Sequence, residues 1–385
     1  MAKPLHIHHV FSSFNLGGLE SRTCTLMSLL GDEFCHTITA TDGGYAAAAR
    51  IAPGVRFELV DSPAGKGTPL YPFRFSSLLR AVQPDLLVTY NWGAFDAALA
   101  ATVDSICPVV HTEDGFNPDE ATRLKSRRVW ARRLVLNQIS AVVVPSRTLR
   151  DIALNTYHLR AGMVHWIPNG VEPDQYGTSG RERWRAAWGC AEDEFLIGFV
   201  GRLSAEKNLG TLLRAVAACR LPNARIVLVG RGPCQAELET LAGELGIGGR
   251  VTFAGFIPDP SGCYGAFDLF AMSSATEQMP ISLLEAMAAG LPVICTTVGD
   301  CAEILGNPGW PSAVPAGDLD AYVRGLRTLH ADAELRERLG ARNRRRCVES
   351  YSRERMIARY RHIYLAAAGR SEPAANPPAH SRQNR

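Results

Sequence analysis

Short apolar runs alternate with longer segments of helical period along this chain, and the alternation starts over halfway, which limits the possible folds more than anything else in the sequence. Residues 5–11, 85–89, 109–110 and 141–144 are runs of strand length, separated by helix-like stretches such as 19–30 and 95–103. Runs of this kind, apolar on both faces, suit buried parallel strands whose β-α-β connections lay helices over the sheet. A second series begins at Phe195, with strands expected at 196–200, 224–229, 251–253, 269–272 and 292–296 and helices at 209–219, 234–245 and 281–289. Two successive series predict an α/β chain of two doubly wound, Rossmann-like domains facing each other across a cleft.

The join falls in Ile167-Pro168-Asn169-Gly170-Val171-Glu172-Pro173, where two prolines flank an Asn-Gly pair and no regular element can continue. The expected boundaries are 1–171 for the first domain and 172–350 for the second. A last helix at 351–368 ends at Gly369, and a disordered Pro/Ala/Asn/Ser/Arg tail occupies 369–385.

Composition narrows the function classes. Hydrophobic residues at 46% and charged residues at 21% are those of a folded globular protein, and no apolar run approaches the ~20 residues of a spanning helix. The chain opens directly into a strand pattern without a secretory apolar region, which predicts a cytoplasmic protein. Ten scattered cysteines, none in a C-x-x-C pair, are expected as reduced thiols rather than a disulfide or metal framework. A net charge of +3 is too small to argue for a nucleic-acid partner.

The chemistry concentrates in two stretches. The first runs from Glu277 through Gln278-Met279-Pro280-Ile281-Ser282-Leu283-Leu284 to Glu285 and on to Gly290-Leu291-Pro292. Pro280 suits a helix start, and Gly290 followed by Pro292 suits its end. The amides of Ile281, Ser282 and Leu283, at the positive end of the helix dipole, would form a diphosphate site. Solvated surface acids are ordinary, but Glu285 sits within an apolar run and needs partners. The second stretch is Gly201-Arg202-Leu203-Ser204-Ala205-Glu206-Lys207, at the carboxyl end of an expected strand, where ligands bind in open α/β sheets. Arg202 offers a planar fork and Lys207 a compact charge, both suited to phosphate oxygens.

Together these stretches resemble the E-x7-E signature and the G-R-(x)4-K clamp of glycosyltransferase family 4, retaining enzymes of the GT-B fold. The resemblance implies a nucleotide diphosphate sugar as donor, a glycan or lipid-linked acceptor, and transfer that needs no metal or other cofactor. It implies that Glu277 contacts the donor sugar, Glu285 the ribose, and Arg202 and Lys207 the diphosphate. The family often carries Gly-Phe-Gly after the first Glu; Gln278-Met279-Pro280 stands here instead, a departure that bears on sugar choice. Gly17-Gly18-Leu19-Glu20 resembles the family's glycine loop near the phosphates, 167–171 its hinge, and 253–256 with Tyr264 and Asp268 its surroundings of the base. The final helix resembles the segment that crosses back onto the first domain.

His111, after the strand at 109–110, is either a hydrogen-bonding group near the reacting sugar, as in many family members, or a structural His at a strand end. Glu113 and Asp114 rank below it as acceptors of the proton released by the acceptor substrate. Gly230-Arg231-Gly232 lacks the third glycine and the downstream acid of a dinucleotide fingerprint. Asp318-Leu319-Asp320 has the spacing of a metal-binding D-x-D but reads better as a helix cap, and no His/Cys/Asp cluster suggests a metal. Arg123, Lys125, Arg127, Arg128, Arg132 and Arg133, interleaved with Val129, Trp130, Leu134 and Val135, form either a solvated helix face or a contact to an anionic membrane surface at the cytoplasmic side. Two further functions fit the same cleft: a nucleotide-sugar epimerase or hydrolase, which would consume donor without acceptor, and a non-catalytic glycan-assembly partner. The intact set of Glu277, Glu285, Arg202 and Lys207 speaks against the last.

Overall fold

The computed structural model describes residues 3–115, 120, 123–177, 179–221 and 223–370. Of the expected disordered tail at 369–385, Gly369 and Arg370 are described and close the last helix with bonds to Ala366 O and Leu365 O, while 371–385 lie outside the described residues. The first domain holds β1 (Leu5–Phe11), β2 (Phe34–Ala40), β3 (Phe57–Leu59), β4 (Leu86–Tyr90), β5 (Val109–Thr112), β6 (Ala141–Val144) and β7 (Val164–Trp166). They pair in the order β3-β2-β1-β4-β5-β6-β7, every neighbour parallel. The second domain holds β8 (Phe195–Val200), β9 (Ala224–Val229), β10 (Val251–Gly255), β11 (Leu269–Met272), β12 (Val293–Thr296) and β13 (Ala313–Val314), parallel in the order β10-β9-β8-β11-β12-β13. In each sheet the strand order reverses beside the first strand, β1 or β8, which opens a crevice at the carboxyl ends.

Helices cover both faces of both sheets. In the first domain α1 (Gly18–Leu30) shares one core with α13 (Arg353–Ala367), while α2 (Tyr71–Val82), α3 (Phe95–Val103), α4 (Ser126–Leu136) and α5 (Arg147–Asn155) cover the other face. In the second, α6 (Arg181–Ala187), α9 (Ile281–Ala288), α10 (Cys301–Ile304) and α12 (Ala333–Ser350) lie against one side, and α7 (Leu209–Cys219), α8 (Gln235–Glu244) and α11 (Leu319–Ala331) against the other. The chain crosses between domains twice, and the crossings lie side by side. Val171 N–H donates to Tyr351 O and Arg353 N–H to Val171 O, both at 2.9 Å. Met356, Tyr360 and Tyr364 then enter the first domain's core.

The interior of the first sheet is unusually polar. His8 Nδ1 lies 2.7 Å from Thr37 Oγ1, His9 Nδ1 lies 2.9 Å from the Tyr90 hydroxyl, and His9 Nε2 lies 3.1 Å from His36 Nδ1. All three imidazoles are buried. Burial pushes His8 down to about 3 and His36 to about 4, and lowers His9 well below its usual range.

The unfolded chain therefore takes up protons below pH ~6.5 that the folded sheet refuses, so each such His lowers stability as pH falls toward its folded value. Glu20 acts in the opposite sense between its usual value and about 7, because its folded carboxyl holds a proton longer. Replacing one His isolates its share. In urea titrations, His8→Asn should lose about 2 kcal/mol less stability than the wild type between pH 7.5 and 5.

Candidate functional site

The clamp loop is built on the ends of β8 and β9. At the end of β8, Gly201 N–H donates to Val229 O at 2.9 Å and Leu203 N–H to Arg231 O at 3.0 Å, while Cys234 N–H returns to Leu203 O at 3.0 Å. Gly230 has φ +135°, and a Cβ there would stand 1.9 Å from Gly201 O; at Gly232 it would stand 2.2 Å from Leu203 O. The Gly-Arg-Gly stretch thus serves as a floor that only glycines allow to come so close. Arg202 stands exposed above it. Lys207, in the single turn that follows, places Nζ 2.6 Å from Glu277 Oε1, and Ser274 Oγ donates to the same oxygen at 2.8 Å.

Glu277 precedes α9, whose N-cap is Pro280 rather than a residue inside the first turn. Of the three amides expected at its mouth, that of Leu283 is turned back to Pro280 O at 3.2 Å, which leaves those of Ile281 and Ser282 unused by the helix. The start of α1 approaches from the other domain. Gly17 is its N-cap, and a Cβ on Gly18 would lie 3.5 Å from Ile281 Cδ1. Two helix amino ends therefore converge on one place, each carrying roughly half a positive charge. Beside them, burial and the charge of Asp114 raise the Glu20 carboxyl to about 7.

Glu285 sits one turn further along α9, as its spacing requires, and is held from both sides. Tyr176 Oη donates to Oε1 at 3.0 Å and Tyr264 Oη to Oε2 at 2.5 Å. Burial raises its pKa while the two phenols pull the other way. It borders a cavity of about 640 Å³ between the domains, walled also by Arg22, Arg50, Asn169, Asp259 and Ile281. Arg50 spans that cavity, donating to Ser21 Oγ at 3.1 Å and to Pro258 O at 2.6 Å. Arg202, Lys207 and Glu277 are not among the walls, so clamp and cavity adjoin at Ile281 and Glu285 without coinciding. Tyr264 belongs to the stretch that the resemblance sets around the base, whereas Tyr176 has no sequence signature of its own, and for it the need of Glu285 for partners was the one available hint.

The first domain's candidates are arranged differently from the simplest expectation. His111 is fully buried, with Nδ1 2.8 Å from Thr89 Oγ1 and Nε2 3.4 Å from Glu113 Oε2. Glu113 is gripped by Arg132 at 2.9 and 3.0 Å. Burial alone would raise its pKa, but Arg132 and His111 hold it down to about 2. Asp114 is paired with Arg22, which also donates to Asn169 Oδ1 at 2.8 Å. Asp318 caps α11 by accepting from Ala321 N–H at 2.8 Å, and Asp268 accepts from Leu196 N–H, Arg181 and Arg185, so it acts within the scaffold.

The basic run divides. Arg132 is buried on Glu113, and Arg128 reaches Glu120 at 2.8 Å, with the Trp92 ring facing both guanidinium groups. These two face inward, which corrects the picture of six surface cations. Arg123, Lys125 and Arg127 are exposed, and Trp130 at 57% and Leu134 at 61% exposure form an apolar ridge on α4, with Arg133 lying 4.8 Å over the Trp130 ring. No helix of the described residues is long and apolar enough to cross a membrane.

Residues 17–170 match the model of the glycosyl transferase 4-like domain, and residues 180–346 that of the glycosyl transferases group 1. The D-inositol 3-phosphate glycosyltransferase of Mycolicibacterium smegmatis is 30% identical over 316 residues, covering 74% of this chain and 69% of that protein. The lipopolysaccharide core biosynthesis glycosyltransferase LpsE of Rhizobium meliloti is 34% identical over 176 residues, 46% of this chain and 51% of that one. Among several curated relatives the matched part spans only 51 to 60% of their length. In fold, the chain is similar to Anabaena HepE in complex with UDP, at a TM-score of 0.80 and 21% identity over 94% of this chain and 100% of that one.

The division of the basic run has a measurable consequence. Arg132→Met strands the Glu113 carboxylate in the interior and should cost about 3–5 kcal/mol in urea unfolding. Arg127→Met, on the exposed side, should stay within about 0.5 kcal/mol of the wild type.

Proposed function

Because the chain belongs to the glycosyl transferases group 1, we propose that it moves a sugar from a nucleotide diphosphate donor, held by the second domain, to a glycan or lipid-linked acceptor. The observation that carries the proposal is the contact of Lys207 with Glu277 at the mouth of α9, beside Arg202. A cation suited to a departing diphosphate and a carboxylate suited to sugar hydroxyls stand together at the end of a helix dipole. Cleaving the donor develops negative charge on the diphosphate. Preorganised positive groups stabilise that charge in the transition state: Arg202, Lys207 and the amino ends of α1 and α9. These groups support transfer without a metal ion.

Retention of configuration has similar support. Glu113 and Asp114 are each committed to an arginine and Glu277 to Lys207 and Ser274, which favours front-face attack through an oxocarbenium-like state over a covalent glycosyl-enzyme. His111, bonded to Thr89 and Glu113, orders the first domain's wall behind the acceptor. Uridine diphosphate, seen bound to HepE, is the first nucleotide to test. The ten free thiols suit a reducing compartment, and the name of LpsE makes a lipopolysaccharide-like acceptor at the cytoplasmic membrane face the first choice. The ridge of Trp130 and Leu134 with Arg123, Lys125, Arg127 and Arg133 around it would rest on anionic headgroups there, each basic residue adding ~1 kcal/mol.

Incubation with a panel of uridine diphosphate sugars and lipid-linked acceptors in EDTA should give acceptor-dependent transfer. Donor consumption without acceptor points instead to a hydrolase or epimerase, and activity restored only by manganese overturns the metal-free reading. In the same assay the two acids should separate. A ribose contact is present in ground and transition state alike, so Glu285→Gln should weaken nucleotide diphosphate binding about ten- to a hundredfold, the effect of roughly 1.5–3 kcal/mol. Glu277→Gln should lower turnover more than binding.

Vesicle flotation tests the membrane contact. Binding should require anionic lipid, weaken with salt and drop on Trp130→Ser with Arg127→Ser; equal binding to neutral vesicles excludes the electrostatic contact.

A further inference from the structure

The loop that carries Glu277 and Gln278 is supported from beneath by the turn after β12. Gly299 there has φ +51°, and a Cβ on it would stand 2.0 Å from Glu277 O, so this turn lies directly under the acid's backbone. The next residue, Asp300, donates its N–H to Gln278 O at 3.2 Å. Its carboxylate, however, leaves the second domain altogether. It accepts from Arg147 N–H at 2.5 Å, from Thr148 N–H at 3.1 Å and from Thr148 Oγ1 at 2.8 Å, all in the first turn of α5. The N-cap of α5, Ser146, completes the junction: its Oγ accepts from Leu149 N–H at 3.0 Å and donates to Gln278 Oε1 at 3.3 Å.

Asp300 is only 5% exposed, and a buried carboxylate is tolerable only with such partners. Three donors and the positive end of a nine-residue helix supply them. Every one belongs to the other domain, so the set is complete only while the cleft is closed. The nearby ion pair of Arg147 with Glu303 at 3.2 Å is half exposed and adds little.

We infer that Asp300 is a positioning residue that couples closure of the cleft to the placement of the Glu277–Gln278 loop. On opening, the carboxylate and the first amides of α5 return to water, so the contact biases an equilibrium rather than locking it. Of the groups proposed to hold the nucleotide, Arg202, Lys207, Glu285 and the amino end of α9 lie in the second domain and keep their positions when the contact is lost, and only the amino end of α1 comes from the first. Removing it should therefore lower the population of the productive closed form while changing nucleotide affinity little.

The inference uses the transferase reading for one readout only. The full-length wild type, Asp300→Ala, Asp300→Asn, Thr148→Val and the double variant Asp300→Ala/Thr148→Val are compared by small-angle scattering without nucleotide and with uridine diphosphate, by calorimetry with uridine diphosphate, and by transfer kinetics. Asp300→Ala should be more extended than the wild type in scattering, bind uridine diphosphate within about twofold of it and turn over about ten- to a hundredfold more slowly. Asp300→Asn, whose oxygen can still accept from Thr148, should recover part of the loss. Thr148→Val should give a smaller loss that does not add to that of Asp300→Ala in the double variant, as expected for partners in one contact. Unchanged scattering, independent additive losses, or nucleotide affinity falling in step with turnover overturns the assignment. If wild type shows no transfer, the transferase reading fails while the scattering comparison still decides the role of Asp300. If Asp300→Ala does not fold, Thr148→Val and Asp300→Asn carry the same comparisons.

Discussion

The amino ends of α1 and α9, one from each domain, meet across the cleft with Gly18 against Ile281. Like ends of two dipoles repel, and Arg202 and Lys207 add further positive charge at the same place. Much of the remaining design can be understood as managing this field. Glu277 takes Lys207 as a partner, and Asp300 neutralises the amino end of a third helix, α5, a short distance along the same interface. Asp114 holds Arg22, which would otherwise be a buried cation on the wall of α1. A diphosphate brought into such a place gains from several preorganised donors at once, and its affinity does not rest on any one of them.

The architecture was legible where strands are apolar throughout. Runs such as 141–144 and 196–200 have no other reading, and the restart at Phe195 implied the second sheet. β2 was not legible, because Phe34-Cys35-His36-Thr37-Ile38-Thr39-Ala40 mixes polar and apolar residues as an exposed segment would. Its polar side chains are interior because they satisfy those of β1: Thr37 meets His8, and His36 meets His9. That reciprocity crosses two strands 27 or more positions apart and leaves no local trace. Short edge strands such as β3 and β13 were missed for a simpler reason: with two or three residues each, they have no periodicity to detect.

In the site, residues with local chemical meaning were found and those that act through distant partners were not. Glu277, Glu285, Arg202 and Lys207 stand in recognisable spacings, and Glu277 and Lys207 do meet. Tyr176, which holds Glu285 from one side, comes from 109 positions away, and Asp300 acts on residues more than 150 positions earlier. Arg132 shows the converse error: one helical stretch of like charge looks uniform in sequence, yet the side facing Glu113 is buried and only the other side meets solvent. Helical period alone could not tell which side, because the acids that claim Arg128 and Arg132 lie outside the helix.

The two crossings of the chain show why closure should be easy to bias. Each domain has its own pair of large apolar cores, those of the first including residues of α13. Among the described residues, besides the paired segments around Val171 and Ser352 and the approach of Gly18 to Ile281, they are joined by polar contacts: Arg50 to Pro258, Asn169 to Met279, Ser146 to Gln278 and Asp300 to α5. Polar contacts of this kind exchange with water at small net cost, unlike apolar burial. A hinge governed by them can open and shut with a free-energy difference of a few kcal/mol, small enough for one buried polar contact to bias. The same economy explains the position of Tyr176. It stands just after the first crossing and holds Glu285 at 3.0 Å, so an acid of the cavity wall is anchored to the segment about which the domains would turn. Rotation there would leave Glu285 in register with its own domain while α1 and Arg50 swing away, which opens the cavity without dismantling the clamp.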